Sequence, residues 1–381
     1  MSSTKICRID VWVCRAPLAR PVTTSFGAMK ERPGLFLRLE NSSGAYGFGE
    51  IWCNFPARGA EHRAGLVIDE FSQILFAMED GVPPDLFSHL TKLTHIRTLQ
   101  SAEWGPYAQA IAGLDIAALD LRARVAGQPV RNLLNDTARE KVPCYASGIH
   151  IRDAEKDIAE CRAMGHRAFK VKVGFDLEDD CAALRELISS LAGDERLFCD
   201  ANQAWDLEEA LKFVEAMGEV AIGWLEEPMP ADAPASDWKR LAEVSEIPLA
   251  AGENIASKAG FDQAINSGSI ATIQPDIAKW GGFTGCMAVA QAAKRAGHTY
   301  CPHFLGGGIG LIASANLLAA AGGNGLLEFD ANPNPLRDAF LEQNTFTADG
   351  VFQLCPEAGL GVMEFPEELN PFVVMHQTVT G

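Results

Sequence analysis

Residues 168–176 read AFKVKVGFD, an apolar run into which Lys170 and Lys172 are set two positions apart. A short apolar run of this kind is typical of a buried β-strand. Side chains two positions apart on a strand point to the same side, so both ammonium groups share one face. Burying two neighbouring cations is costly, because each loses water and each repels the other. The pair therefore needs a chemical reason.

Similar short apolar runs recur from about residue 142 onwards. The eight runs are VPCYASG (142–148), AFKVKVG (168–174), RLFCDANQ (196–203), GWLEEP (223–228), PLAAGEN (248–254), ATIQPDIAKW (271–280), TYCPHFL (299–305) and GLLEFD (325–330). Nearly all are separated by helix-like segments, which predicts parallel βα units, and eight such units predict a closed barrel. An open, doubly wound sheet is the alternative.

Seven of the runs carry an ionisable residue late in the run, at a nearly even spacing. They are Lys172, Asp200, Glu226, Glu253, Asp276, His303 and Glu328. Successive numbers differ by 28, 26, 27, 23, 27 and 25, the length of one βα unit. In a barrel this spacing places all seven at the C-terminal mouth, where active sites are built. A single carboxylate there commonly caps the following helix, but seven in step favour a site.

Three of these carboxylates, Asp200, Glu226 and Glu253, lie on consecutive predicted strands. Carboxylates converge only around a cation, since like charges otherwise repel or protonate. Hard oxygen ligands without cysteine or histidine suit Mg²⁺, with Mn²⁺ as the alternative. The pattern does not decide which of Glu226 and Glu227 turns inward, and three surface carboxylates are the alternative interpretation.

Asp276 and His303 fall on the next two strands. An aspartate beside a histidine fixes its tautomer and raises its basicity, which favours acid–base catalysis over a hydrogen-bonded core histidine. No G-x-S-x-G motif accompanies the pair, so a Ser-His-Asp hydrolase is disfavoured. The FLGGGIG turn (304–310) lacks the spacing of a nucleotide-binding loop, and we expect its backbone amides to face an anionic substrate.

The composition limits the remaining classes. The formal charge of −18 argues against nucleic acid as a partner. Ten cysteines without a C-x-x-C pair predict reduced, buried thiols, and the N-terminus does not resemble a signal peptide, so we expect a cytoplasmic protein. The weakly polar stretch 310–327 predicts a small-residue helix packed on a sheet and no membrane span.

The first part of the chain, to about residue 130, mixes strands and helices without regular order. Residues 35–51 predict a hairpin with its turn at Asn41 to Gly44. Residues 61–80 and 107–127 carry apolar residues at helical spacing. This part predicts an α+β unit.

Together these motifs resemble the enolase superfamily, specifically its mandelate racemase subgroup. The matching elements are KVK, DANQ, WLEEP, AGEN, QPDIAKWGG, CPHF and LLEFD on strands two to eight, together with a long cap helix within residues 110–130. The resemblance implies an α/β fold, a (β/α)7β modified TIM barrel with an α+β capping domain. We expect the cap to comprise residues 1–132, the barrel 133–335, and a C-terminal segment, 336–381, to return to the cap.

The resemblance also implies residue roles. It assigns the metal to Asp200, Glu226 and Glu253, one acid/base to Lys172 and the other to the Asp276–His303 dyad, and substrate contacts to Lys170, Asn202 and Glu328. Lys170 would also depress the pKa of Lys172. In the muconate cycloisomerase branch a lysine takes the sixth-strand place. Here that place is Asp276, and Lys279 falls three residues later, which favours the mandelate racemase branch.

The implied chemistry is Mg-dependent abstraction of the proton α to a carboxylate, which gives a metal-stabilised enolate. Loss of a β-hydroxyl group from an acid sugar or other hydroxy acid is our first choice, and racemisation or epimerisation of a 2-hydroxy acid by the same bases is the alternative. A non-catalytic binding protein is the remote alternative.

The expected partner is a small-molecule carboxylate, not nucleic acid or a membrane, and we expect a homo-oligomer because symmetric assembly is common for such barrels. Cap segments 19–34 and 50–62 would set specificity. Their candidate side chains, unranked by sequence, are Phe26, Met29, Trp52, Phe55, Arg20, Lys30, Arg32, Arg58 and His62.

Overall fold

The computed structural model describes residues 4–24, 27–341 and 349–381, and it describes residues 19–24 and 28 by their backbone alone. Within those ranges the strands are β1 (Ile6–Thr24), β2 (Gly27–Asn41), β3 (Tyr46–Ile51), β4 (Lys141–His150), β5 (Ala168–Lys172), β6 (Arg196–Asp200), β7 (Ile222–Glu226), β8 (Leu249–Ala251), β9 (Thr272–Ile273), β10 (Thr299–Tyr300), β11 (Leu327–Asp330), β12 (Val351–Gln353) and β13 (Val373–Thr380).

The α-helices in the same ranges are α1 (Gly59–Gly65), α2 (Ser72–Phe76), α3 (Leu86–Ser101), α4 (Trp104–Val125), α5 (Val130–Leu134), α6 (Ala154–Ala163), α7 (Leu177–Ser190), α8 (Leu207–Met217), α9 (Ala235–Val244), α10 (Lys258–Ser267), α11 (Gly282–Arg295), α12 (Gly308–Ala321) and α13 (Pro335–Asp338). A π-helical segment, Leu66–Phe71, joins α1 to α2, and short 3-10 segments cover Ile151–Asp153 and Glu367–Phe372.

A curled sheet of eight parallel strands forms the larger part of the fold. Its strand order is β10-β9-β8-β7-β6-β5-β4-β11. Helices α6 to α12 alternate with these strands along the chain. The two ends of the order meet where the Leu326 N–H donates to Cys301 Sγ at 3.3 Å. The repeating apolar runs predict a barrel, and the order of the elements is that of the (β/α)7β modified barrel that the family resemblance implies.

An apolar layer fills the lower part of the barrel. It consists of Tyr145, Ala168, Phe198, Trp224, Ala250, Cys301 and Leu326, all buried. Phe198 and Trp224 stack with their ring centroids 3.7 Å apart. Because inward-facing side chains alternate along a strand, Asp200 and Glu226 lie one layer above these two rings. The floor therefore sets the height at which the ionisable residues appear.

The cap is built on a four-stranded antiparallel sheet in the order β13-β1-β2-β3. Leu35 of β2 pairs with Ile51 of β3, as the hairpin prediction requires. The Asn41 side chain closes the turn by accepting hydrogen bonds from the backbone of Ser43 and Ala45. On the other edge, β13 pairs with β1, so the end of the chain returns to the cap sheet.

One turn prediction is wrong. The sequence predicts that the amides of the FLGGGIG turn face an anionic substrate, but Gly307 and Gly310 donate their N–H groups to the buried carboxylate of Glu50. Burial raises the pKa of Glu50 to about 7, although the two amide hydrogen bonds oppose that shift. Glu50 belongs to β3 of the cap, so the turn anchors the cap to the start of α12.

Two other sequence predictions are confirmed. All ten cysteines are free, and all except Cys7 are buried. Helix α12 is buried along its whole length, as expected for a small-residue helix packed inside a globular protein. Across the described residues no helix combines the length and apolar character that spanning a membrane requires.

Strand β3 packs directly on α4 through glycines. A methyl group on Gly47 would overlap the backbone of Ala117 and Leu121, and one on Gly49 would overlap the Gly113 carbonyl oxygen. The close approach of sheet and helix therefore depends on the missing side chains.

We expect Gly47→Ala to destabilise the protein by about 1–3 kcal/mol or more, because the added methyl group must displace the α4 backbone. The midpoint of urea unfolding, followed by circular dichroism, measures the change. Gly193→Ala is the matched control, since a methyl group at that exposed glycine meets nothing within 4 Å. Equal midpoints for the two variants would show that β3 and α4 are not packed as described.

Candidate active site

The predicted ring of ionisable residues lies at the mouth of the barrel. Lys172 pairs in register with Asp200, and Asp200 pairs with Glu226, so three consecutive strands carry them side by side. A cavity of about 290 Å³ opens above them. Its barrel wall includes Lys172, Asn202, Glu253 and His303, and its cap wall includes Met29, Arg32, Trp52 and Phe55.

Lys172 is buried and bonded to a carboxylate. Its Nζ donates to Asp200 Oδ2 at 2.6 Å. Burial lowers the pKa of Lys172 and Lys170 lowers it further, but the attraction of Asp200 and Glu226, together with the hydrogen bond to Asp200, outweighs both, so the pKa is raised. The expected influence of Lys170 is present in direction, whereas the expected net depression of the pKa is wrong for this arrangement of charges.

Lys170 lies deeper than Lys172 and is fully enclosed. Its Nζ is 2.6 Å from Glu226 Oε1 and 2.8 Å from Glu328 Oε1. Burial lowers the pKa of Lys170, but these two carboxylates raise it well above its usual value. Lys170 does not appear among the residues that line the cavity. Its charge is therefore balanced inside the barrel.

The structure separates the two neighbouring glutamates. Glu226 points into the barrel beside Asp200 and accepts hydrogen bonds from Gln274 and Trp224 at 2.8 and 3.2 Å. Glu227 has a positive φ of 38°, which breaks the strand alternation. Both of its carboxylate oxygens accept from Asn254 Nδ2, at 3.0 and 2.8 Å.

Both glutamates are buried in a way that disfavours their ionised forms. Burial and the Asp200 carboxylate raise the pKa of Glu226 to about 7, although Lys170 opposes the shift. Burial, Glu253 and Asp200 hold the pKa of Glu227 well above its usual value. Carboxyl groups that resist ionisation in this way are the environment in which a divalent cation is favoured, and oxygen donors suit Mg²⁺.

The three predicted ligands are nevertheless not gathered around one point. Within the described ranges, no three carboxylate, histidine or cysteine side chains are grouped closely enough to hold a metal ion. The reason is that like charges separate and each takes a cation of the chain. Asp200 bonds Lys172, Glu226 bonds Lys170, and Glu253 lies 3.2 Å from His303 Nε2.

Asp276 and His303 form the predicted pair. Asp276 Oδ2 lies 2.9 Å from His303 Nδ1, and Asp276 Oδ1 accepts from the backbone of Ala278 and Lys279. Burial lowers the pKa of His303, but Glu253, Glu328 and Asp276 together raise it to about 10. His303 therefore carries a proton on Nε2, and this nitrogen points toward the carboxylates of the cavity.

The two remaining predicted residues support the same centre. The Asn202 N–H donates to Asp200 Oδ1 at 2.8 Å, and the residue lines the cavity. Glu328 accepts from Ser147 Oγ at 2.6 Å and lies between Lys170 and His303, 3.8 Å from His303 Nε2. The structure thus brings all nine predicted site residues to one end of the barrel.

Sequence reasoning missed the role of Lys279, which it noted only as a departure from the other branch. Lys279 Nζ donates to Asn254 Oδ1 at 2.6 Å and lies 4.8 Å from the centre of the Trp52 ring. It therefore joins the barrel wall to the cap wall of the cavity. Its place one helical turn after Asp276 is the signal that could have indicated this role.

The structure also shows which of the candidate specificity residues in the cap line the cavity. Met29, Arg32, Trp52 and Phe55 line the cavity, whereas Lys30, Arg58 and His62 do not. Phe26 lies outside the described residues, and the side chain of Arg20 is not described. Asp330 and Asn332, which follow the last barrel strand, line the cavity and were not predicted.

Comparison with known proteins identifies related families. The sequence model of the mandelate racemase / muconate lactonizing enzyme N-terminal domain matches residues 8–135. The model described as enolase C-terminal domain-like matches residues 153–367. Between them the two matches span both parts of the fold.

Two curated relatives cover most of the chain. A D-galactarolactone cycloisomerase from Agrobacterium fabrum is 27% identical over 97% of this chain and 98% of its own length. An arabinonate dehydratase from Saccharolobus solfataricus is 28% identical over 85% of this chain and 86% of its own.

Two solved structures share the whole fold. A mandelate racemase/muconate lactonizing enzyme from Bordetella bronchiseptica RB50 is 44% identical with a TM-score of 0.90, and the match covers 97% of this chain and 99% of that one. A racemase from Streptomyces coelicolor A3(2) with bound magnesium is 25% identical with a TM-score of 0.84, over 97% of this chain and 100% of that one.

Two buried histidines have pKa values that are shifted in opposite directions from the usual value. The carboxylates around His303 raise its pKa to about 10, whereas burial and Arg337 lower that of His166 to about 4. In metal-depleted protein at pH 8, we expect NMR of labelled imidazoles to find His303 protonated and His166 neutral. Asp276→Asn should lower the pKa of His303 and leave that of His166 unchanged.

The stability contribution follows from the sign of the shift. A histidine whose pKa is raised on folding stabilises the protein fully below its unfolded pKa of about 6.5, and that contribution is lost as the pH rises toward about 10. The difference in unfolding free energy between the parent and His303→Asn should therefore shrink across this interval. A difference that grows with pH would contradict the described charge environment.

Proposed function

The chain belongs to the mandelate racemase/muconate lactonizing enzyme family of the enolase superfamily, and from that membership we propose that it dehydrates a hydroxylated carboxylate such as an acid sugar. The reaction removes the proton α to the carboxylate and then expels a β-hydroxyl group as water. The enol that remains tautomerises to a 2-keto acid.

One observation carries the proposal: Lys172 and His303 line the same cavity from two sides of the barrel. Lys172 ends β5 and His303 follows β10, which are separated by two strands in one direction around the barrel and by four in the other. A substrate between them meets a proton-transfer group on each face. Two such groups across one substrate are what an elimination or an inversion requires.

We assign the base to Lys172 and the acid to His303. The net pKa of Lys172 is raised, chiefly by Asp200, which we assign to the metal; the charge of Lys170 lowers that pKa, which is the direction that a base requires. His303 holds its proton near neutrality because carboxylates surround it, so it can protonate a leaving hydroxyl group. The Asp276 carboxylate fixes the ring so that Nε2 faces the cavity.

Asp200, Glu226 and Glu253 are the residues that we propose for Mg²⁺, with Mn²⁺ as the alternative ion. When bound, the ion would supply the electrostatic stabilisation that an enolate dianion needs. Glu226 is preferred over Glu227 because it faces inward beside Asp200, whereas both oxygens of Glu227 are held by Asn254. Lys170, Asn202 and Glu328 would support the bound carboxylate and enolate.

Racemisation or epimerisation of a 2-hydroxy acid is the second candidate, since the racemase with bound magnesium shares the whole fold. The dehydratase and the cycloisomerase among the relatives favour elimination from an acid sugar. A non-catalytic binding protein is the remote candidate. Loss of a base or of a metal ligand would indicate it, but the sequence retains every proposed base and metal ligand.

We also infer that the protein is cytoplasmic, because its thiols are free, and that it is a homo-oligomer, because symmetric assembly is common among such barrels.

Proton exchange tests the proposed chemistry. With Mg²⁺ in D₂O, we expect the enzyme to introduce deuterium at the α-carbon of its substrates and to release a 2-keto acid, both measured by NMR. His303→Asn should abolish dehydration and leave Lys172-dependent exchange with one epimer, because the acid is lost and the base remains. His89→Asn, an exposed change on α3, is the matched control.

Three results would revise the assignment. Full turnover in His303→Asn would remove the dyad from the mechanism. An inverted α-carbon without a 2-keto product would establish the racemase. No exchange across a broad panel of acid sugars, with the fold intact, would count against catalysis.

Metal binding distinguishes the two glutamates. Calorimetric titration of metal-depleted protein with Mg²⁺ should find binding weakened more in Glu226→Gln than in Glu227→Gln. Glu226 is the proposed ligand, whereas loss of a supporting residue typically weakens metal binding about 10–100-fold. The two variants are matched controls for each other. The reverse order would transfer the ligand role to Glu227.

A further inference from the structure

An ion pair between the cap and the barrel closes one side of the cavity. Arg32 of β2 donates from Nη2 to Asp330 Oδ2 at the end of β11. The side chains are 8% and 4% exposed, respectively, and both residues line the cavity. A buried ion pair of this kind is costly to desolvate. Its position in a cavity wall therefore points to a role in binding a ligand.

The acidic partner is held in place. Asp330 Oδ1 accepts from the backbone N–H and the side-chain amide of Asn332, at 3.0 and 2.9 Å. The same amide donates to the Gly148 carbonyl oxygen at 3.0 Å. Gly148 has a φ of 76°, and a methyl group there would overlap the Asn332 amide and the Asp330 carboxylate, so this arrangement depends on the missing side chain.

The basic partner has hydrogen-bonding capacity left. Arg32 Nε is buried and has no hydrogen-bond partner among the described residues. A guanidinium carries several N–H donors, and the bond to Asp330 uses part of them. A buried donor left unbonded is costly, and a ligand in the cavity could satisfy it.

The height of the pair above the reacting centre fits a sugar acid. Asp330 lies two residues beyond Glu328 on the same strand, so it stands about 6.5 Å further toward the mouth. Glu328 contacts Lys170 and lies close to His303, at the level where the substrate carboxylate is proposed to bind. The pair therefore lies within reach of the far end of a pentose or hexose acid.

We propose that Arg32 and Asp330 form a subsite for the hydroxyl groups at the far end of the substrate, so that acid sugars with one carboxylate are preferred over the corresponding diacids. The inference rests on the proposed function and names the substrate class of the same cavity. A hydroxyl group both accepts and donates, so neighbouring hydroxyls can accept from Arg32 and donate to Asp330.

A second carboxylate would fit this place poorly. It can only accept hydrogen bonds, and it would lie against the Asp330 carboxylate. The charge of Arg32, which could otherwise bind it, is already balanced by Asp330. Desolvating a carboxylate without a free cation is costly, so the paired arrangement selects a neutral end.

The test compares binding of matched acids, which does not depend on turnover. Calorimetric titrations in Mg²⁺ buffer use an aldonate and the aldarate of the same configuration. We expect the parent protein to bind the aldonate at least about tenfold more tightly, the scale of one hydrogen bond to a charged group. A parent protein that prefers the aldarate would overturn the inference.

Two variants separate the roles of the pair. Asp330→Asn frees the charge of Arg32, so the ratio of the dissociation constants should shift at least about tenfold toward the aldarate. Arg32→Gln removes the donor and leaves Asp330 unpaired, so both acids should bind more weakly and the aldarate should lose more. Arg58→Gln, whose side chain is 87% exposed in the cap, is the matched control and should change neither constant.

The outcomes distinguish this inference from the proposed function. An unchanged ratio in folded Asp330→Asn would refute the subsite even if α-proton exchange proceeds. Selective binding without exchange would retain the subsite and refute the dehydratase. Thermal melting verifies that each variant is folded. If a variant is not folded, the preference of the parent protein for the aldonate or the aldarate still tests the inference.

Discussion

The compensation of buried charge at the barrel mouth is the constraint on which this structure depends. Lys170 and Lys172 of β5 are both buried. Lys172 lies within hydrogen-bonding distance of Asp200 on the adjacent strand β6, and Lys170 lies within that distance of Glu226 on β7, one strand further. An unpaired ion at such a depth would cost several kcal/mol. The pairs form only in the observed strand register, because a shift of one residue would turn these side chains out of the barrel. Charge and register therefore stabilise each other, and the apolar floor of Phe198 and Trp224 supports the same register from below.

Much of the fold could be predicted because it repeats. One βα unit has a nearly constant length, so a single strand with a polar end indicated where the next polar ends would fall. The anchoring of the cap to the barrel could not be predicted in the same way. Glu50 bonds the amide of Gly307, which is 257 residues distant in the chain. No local pattern connects the two, and a glycine-rich turn after a strand looks the same whether a ligand or a carboxylate of the protein occupies it.

The candidate site, like the fold, has features that the repeat predicts and features that it does not. The level of each ionisable residue follows from the period of the strands, and all nine predicted residues lie at one end of the barrel. Their partners do not follow from the period, because partners depend on side-chain geometry and on the sum of nearby charges. The net rise in the pKa of Lys172 is the clearest example, since the sequence shows Lys170 beside it and gives no measure of the closer Asp200. The choice between Glu226 and Glu227 required the backbone conformation of Glu227.

Residues 50–55 connect the anchoring of the cap to the shape of the cavity. Glu50 holds the start of α12, and the Trp52 N–H donates to the Ala278 carbonyl oxygen, two residues beyond Asp276. The Trp52 ring also lies over Lys279 and forms part of the cavity wall. The backbone of residue 52 is therefore tied to the segment that carries Asp276, whereas its ring contacts Lys279 and the cavity. Phe55 lines the same cavity, is 45% exposed, and has its ring centre 6.3 Å from that of Trp52. In a cap of this design, side chains on the cap wall of the cavity can vary while the proposed acid–base residues, which the barrel carries, stay in place.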